Sequence, residues 1–101
     1  MLLIRQGTTT KVQMQILSDD AETPISLSDV TDVILKLHDP DTGDEKYSIP
    51  CTLVDADNGV VEFDPSSIDV GIYERKFVLT FTDGSVLVIP NSHQEFIAVW
   101  R

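Results

Sequence analysis

Apolar and polar residues alternate one by one along most of this chain. Val12, Met14 and Ile16 alternate with Lys11, Gln13 and Gln15, and Val33, Leu35 and Leu37 alternate with Lys36 and His38. Tyr47, Ile49, Cys51 and Leu53 alternate with Ser48, Pro50 and Thr52. A period of two marks strands with one buried face. Further on, "RKFVLTF" sets Phe77, Leu79 and Phe81 on one face, "SVLVIP" is short and apolar, and "EFIAVW" sets Phe96, Ala98 and Trp100 in phase. No segment has the 3.6-residue period of an amphipathic helix. The pattern predicts strands near 2–6, 9–17, 30–38, 46–54, 60–64, 71–82, 85–90 and 94–100. The predicted core is Val12, Met14, Ile16, Val33, Leu35, Leu37, Leu53, Phe63, Tyr73, Phe77, Leu79 and Phe96, with Trp100 closing it rather than serving as an anchor for a partner.

Turn chemistry separates these runs. Asn58-Gly59 and Asp83-Gly84 suit tight hairpins that need positive φ. The segment "DPDTGDE" at 39–45 is a longer turn, and "DPSS" at 64–67 reads as one helical turn with Pro65 at its first position. Pro50 removes a ladder donor, so its strand belongs at a sheet edge or a bulge. Seven to eight short strands with turns between them describe an all-β fold, an antiparallel β-sandwich.

The stretch "SSIDVGIYERKF" at 66–77 narrows that reading. Asp69, Gly71 and Tyr73 carry the trace of a tyrosine corner, in which the phenol of a late strand bonds back to upstream backbone, as in immunoglobulin-like sandwiches. Two residues after such a tyrosine a core cysteine is common; here Arg75 stands there, and "KVQMQIL" offers Met14 as its counterpart. The core is therefore held by packing alone. Arg75 either lays its stem across the sheet and pairs its head with a carboxylate, or is turned to solvent by a bulge.

With 101 residues the chain is a single domain, 1–101, with room for one core. No apolar run is long enough for a membrane span, and the opening "MLLIRQGTTTKVQ" lacks the apolar length and cleavage site of a signal peptide. Cys51, the single cysteine, reads as a reduced core residue. The net charge of −10, from 17 acidic and 7 basic residues, opposes binding to a nucleic-acid backbone. It reads either as solubility and self-repulsion, or as docking onto a basic partner or binding of cations through acidic loops.

Two such loops stand out: Asp39, Asp41, Asp44 and Glu45 in the first, Asp55 and Asp57 with Asn58 in the second. Oxygen ligands spaced by two and followed by glycine suit calcium, but the bidentate Glu at the twelfth position and the flanking helices of a calcium-binding hand are missing. Ordinary turn chemistry accounts for the same residues, so no metal or cofactor is expected. His38 and His93 are far apart, Ser92 beside His93 lacks a third partner, and Asp64 and Asp69 read as caps. No enzyme is expected.

The segments "IRQGTTTKVQMQI", "LSDVTDVILKLHDPDTG" and "GIYERKFVLTFTDGSVLVIPNSHQEFIAVW" together resemble the N-terminal immunoglobulin-like domain of the siphophage baseplate upper protein family. The likeness lies in the Ile-x-Gln-Gly opening, the polar turn leading into an apolar strand and a Gly-containing loop, and the closing Gly-x-Tyr, Phe-x-Leu, Asp-Gly and Phe-x-Val order. Thr8 stands where that family commonly has an acidic residue. The resemblance implies a non-enzymatic structural protein of a tailed-phage virion, assembled in the host bacterial cytoplasm, which docks on other virion proteins in symmetric copies at baseplate, tail or neck. It brings no catalytic residues. The alternatives are a capsid decoration protein, or a carbohydrate- or cation-dependent recognition module. The isolated protein is expected to be a monomer or weak oligomer, because copies carrying a net charge of −10 repel one another and filling the core leaves few apolar residues for the patch that self-association would need.

Overall fold

The computed structural model describes residues 2–17, 23–90 and 95–101. Among these residues there are nine strands: β1 Leu2–Arg5, β2 Val12–Gln15, β3 Val30–His38, β4 Glu45–Pro50, β5 Thr52–Asp55, β6 Val60–Phe63, β7 Gly71–Phe81, β8 Val86–Ile89 and β9 Phe96–Trp100. The fold is all-β. Its one helical turn among the described residues is the 3-10 segment Ala56–Asn58.

Six strands form one sheet in the order β1-β9-β7-β3-β4, with β8 also on β7; the order β2-β6-β5 forms the other. Strand β7 organises the larger sheet. Along one edge it pairs with β3 from Glu74 to Phe81, and its other edge is shared between β9, at Gly71–Glu74, and β8, at Phe77–Thr80. Named strand pairs are antiparallel except β1 with β9, which run parallel.

Inward residues of both sheets meet in one core: Val33, Leu35 and Leu37 of β3, Tyr73, Phe77 and Leu79 of β7, and Val61 and Phe63 of β6. Ile16, Leu27 and Ile68 close it from the connections. Burying such a side chain fully is worth about 1.5–3 kcal/mol relative to leaving it in water. Eight of the twelve predicted core residues are buried.

Four expectations change. The strand expected at 46–54 is two strands in different sheets. Pro50 pairs with Ile34 at the end of β4, the Cys51 N–H donates to the Val33 carbonyl at 2.9 Å, and Thr52 already pairs with Glu62 of the other sheet. Pro50, lacking an N–H, ends the ladder there and lies, as expected, on an edge strand. Leu53 lies opposite buried Val61 and shares its face, yet it is 40% exposed because β5 is an edge beyond the cover of the larger sheet. Val12 and Met14 on the opposite edge, β2, are half-buried for the same reason.

Third, β9 has the opposite phase. Ile97 pairs with Tyr73 and points inward with Val99, while Phe96 pairs with Glu74 and Trp100 is 50% exposed. Both faces of "FIAVW" are apolar, so alternation carries no phase there. The inward direction of Tyr73 decides it instead. Finally, 64–67 is a turn closed by the Ile68 N–H on the Pro65 carbonyl, without helical continuation.

Candidate functional site

The 66–77 segment builds the corner. The Tyr73 hydroxyl donates to the Asp69 carbonyl at 2.9 Å, and the Asp69 N–H donates to the Tyr47 hydroxyl at 3.1 Å. The two rings meet edge to face at 5.6 Å between centroids. Burial, with Tyr47 beside it, pushes the Tyr73 phenol up to about 12. Gly71 leaves room for the ring: a Cβ there would lie 3.1 Å from Cζ and Oη of Tyr73, a tight contact that the ring would have to yield to.

Arg75 pairs across β7–β3 with fully buried Leu37 and so faces inward. It lies between the last β9 pair and the first β8 pair of β7. Its N–H donates to the Glu95 carbonyl at 2.8 Å, and its guanidinium lies 3.7 Å from the Glu95 carboxylate and 5.3 Å from the Phe77 ring centroid. Of the two readings of Arg75, this is the one in which the stem crosses the sheet and the head finds a carboxylate. Desolvation lowers its pKa.

Beside the corner lies an open cleft of about 730 Å³ whose lining includes Asp39, Asp41, Lys46, Tyr47, Asp69 and Ile72. Three carboxylates against one ammonium suit a cationic group better than an anion. The loop that supplies Asp39 and Asp41 is internally satisfied. The Asp39 carboxylate accepts the N–H groups of Asp41 at 2.8 Å and Thr42 at 3.3 Å, and the Asp44 N–H donates to the Thr42 hydroxyl at 3.2 Å. His38 donates from Nδ1 to the Gly43 carbonyl at 3.2 Å, and Glu45 lies 3.0 Å from Lys36 Nζ. Asp39 thus shapes the turn, Glu45 belongs to the sheet, and Asp41 and Asp44 are exposed.

The second acidic loop lies elsewhere. The Leu27 N–H donates to the Ala56 carbonyl at 2.7 Å, which anchors that loop near the start of β3, whereas 39–45 leaves its end. Nine strand residues rise about 30 Å, so the two loops do not form one site. Asp55 accepts from the Asn58 amide at 2.9 Å, and Asp57 lies in the 3-10 turn. Gly59 takes φ +71°, where a Cβ would lie 2.6 Å from the Ile25 carbonyl. Among the described residues no group of three or more His, Cys, Asp or Glu is placed to hold a metal ion.

The remaining candidates have structural roles. The Asp64 carboxylate accepts the Ser66 N–H at 2.9 Å, which lowers its pKa. Asp69 serves the corner through its backbone. The Cys51 thiol is pushed up to about 11 by burial, so it is a poor nucleophile at neutral pH. Ser92 and His93 lie outside the described residues. No helix among the described residues is long and apolar enough to cross a membrane.

Sequence reasoning missed the outward face of the larger sheet. Leu3 is 65% exposed, Ile72 56% and Val86 59%, and Val88 and Trp100 are also exposed. The Arg5 guanidinium lies 5.8 Å from the Trp100 ring centroid. The available signal was that "LLIR", "VGIY", "SVLVIP" and "EFIAVW" carry apolar residues in both phases. Filling the core therefore does not exhaust the apolar residues. No protein-family model matches the chain, and a search of curated proteins finds no match.

Proposed function

We propose that this chain is a non-enzymatic structural protein of a tailed-bacteriophage virion, built on an immunoglobulin-like sandwich, that docks as an adaptor or accessory component of baseplate, tail or neck. The observation that carries the fold part is the corner itself, the Tyr73 hydroxyl on the Asp69 carbonyl, in a chain with Arg75 where a disulfide partner is common. The virion part rests on the resemblance of three segments to the baseplate upper protein family. The acidic loops suit a basic surface on the recipient protein, which they would approach faster for their charge.

Immunogold labelling of purified virions with antibody to this protein tests the proposal. Label at the tail tip or neck is the expected result. Label over the capsid selects a decoration protein instead, and particles free of the protein overturn the virion assignment.

A further inference from the structure

The register of the larger sheet allows its outward face to be read row by row. Ile72, Glu74, Lys76, Val78 and Thr80 of β7 point away from the core, because Tyr73, Phe77 and Leu79 point into it. Residues paired across strands share a face. Ala98 of β9 therefore stands beside Ile72, and Trp100 lies one row further out; on β8, Val88 stands beside Val78 and Val86 beside Thr80. Along β7 the order is apolar, negative, positive, apolar. Along its flank it is Trp100, Ala98, then Val88, Val86.

That order is the complement of its own reversal. A second copy can be laid face to face, turned about a two-fold axis that lies in the interface, crosses β7 at Arg75 and runs perpendicular to the strands. Glu74 of each copy then stands over Lys76 of the other, Ile72 over Val78, Ala98 over Val88 and Trp100 over Val86. The symmetry makes every contact twice.

Charge supports the same occupant. The chain carries 17 acidic and 7 basic residues. The outward positions of this sheet fixed by pairing carry Arg5, Lys36 and Lys76 against Asp32, Glu45 and Glu74, three of each sign. Two copies can therefore meet here without an excess of like charge at the contact. A row of outward apolar residues is also unlike an antiparallel sheet face meant for water.

We infer that this face is an isologous interface between two copies of the chain. The inference stands apart from the virion proposal, which particle labelling tests separately. It also removes one premise on which a monomer or weak oligomer was expected, since the apolar residues for self-association are present.

Sedimentation equilibrium on the full chain, with charge reversal and mixing, tests the pairing. Glu74→Lys sets Lys over Lys in its own dimer, and Lys76→Glu sets Glu over Glu. Each variant alone should associate about tenfold more weakly than wild type, or worse. An equimolar mixture should recover association, because Lys at 74 of one chain then faces Glu at 76 of the other and the reverse. Glu74 and Lys76 also lie 3.7 Å apart within one chain, and mixing leaves that intrachain pair broken. Recovery thus reports the interchain contact alone. Val86→Asp, at a position 59% exposed, should also dissociate the dimer and does not touch the charge pair. Trp100, the single tryptophan, should shift its emission to the red on dilution of wild type. A wild type that stays monomeric at all concentrations, a mixture no better than its parts, or a dimer that survives Val86→Asp overturns the inference.

Discussion

Tyr73 ties its strand to the preceding loop through one hydroxyl, and that bond can be removed without changing the ring. Tyr73→Phe should destabilise the fold by roughly 0.5–1.5 kcal/mol in urea denaturation, the usual net worth of such a bond. Burial raises the phenol from 10.0 to about 12, so the folded state holds this proton more tightly than the unfolded chain. The associated stability is intact below pH about 10 and falls as pH rises towards 12. The advantage of wild type over Tyr73→Phe should shrink across that window. Cys51 offers a second test. Its thiol, raised from 9.0 to about 11 by burial, should be alkylated by iodoacetamide at pH 8 at least roughly tenfold more slowly in the native protein than in urea. The Tyr73 bond was legible because its chemistry depends on local spacing, four residues from Asp69 to Tyr73, with Gly71 where the ring needs room.

At the scale of elements, the strands were legible wherever one phase was polar. In β3 and β7 the outward phase carries charge at Asp32, Lys36, Glu74 and Lys76 in spite of Ile34, Ile72 and Val78, so Leu35 and Phe77, opposite each other, were placed inward and are fully buried. Phe77→Ala should therefore cost about 3–5 kcal/mol, as a large truncation in a packed core. β9 was not legible in this way, because Phe96, Ala98 and Trp100 are as apolar as Ile97 and Val99, and only the tertiary pairing with β1 and β7 selects the buried set. The two phases separate by mutation. Ile97→Ala should cost about 2–5 kcal/mol, and Trp100→Ala, measured in dilute monomer, about 1 kcal/mol or less. A larger cost for Trp100→Ala than for Ile97→Ala would mean that β9 is turned over. The break at Cys51 was hidden for another reason. Periodicity continues smoothly through "YSIPCTLV", and nothing local tells that the chain passes from one sheet to the other between Pro50 and Thr52.

At the scale of the whole molecule, charge is distributed unevenly, and the two surfaces argued for here follow from that. The outward face of the larger sheet is balanced, while the loops at 39–45 and 55–57 hold acid beyond what their turns require. Asp39 and Asp55 are engaged in hydrogen bonds that shape their loops, and Glu45 lies against Lys36. Asp41, Asp44 and Asp57 are the carboxylates left to meet a partner. Replacing all three by Asn keeps the turn-forming groups and removes three charges. Folding stability should change by no more than about 0.5 kcal/mol, as at other exposed positions. If a basic virion surface receives these loops, the variant should enter particles more slowly and with a weaker dependence on salt, because attraction between exposed charges acts over only about 8 Å at physiological ionic strength and sets encounter more than residence. Copy number in purified virions, followed against time and salt, measures both. A variant that incorporates like wild type across the salt series would reduce these loops to solvated turns.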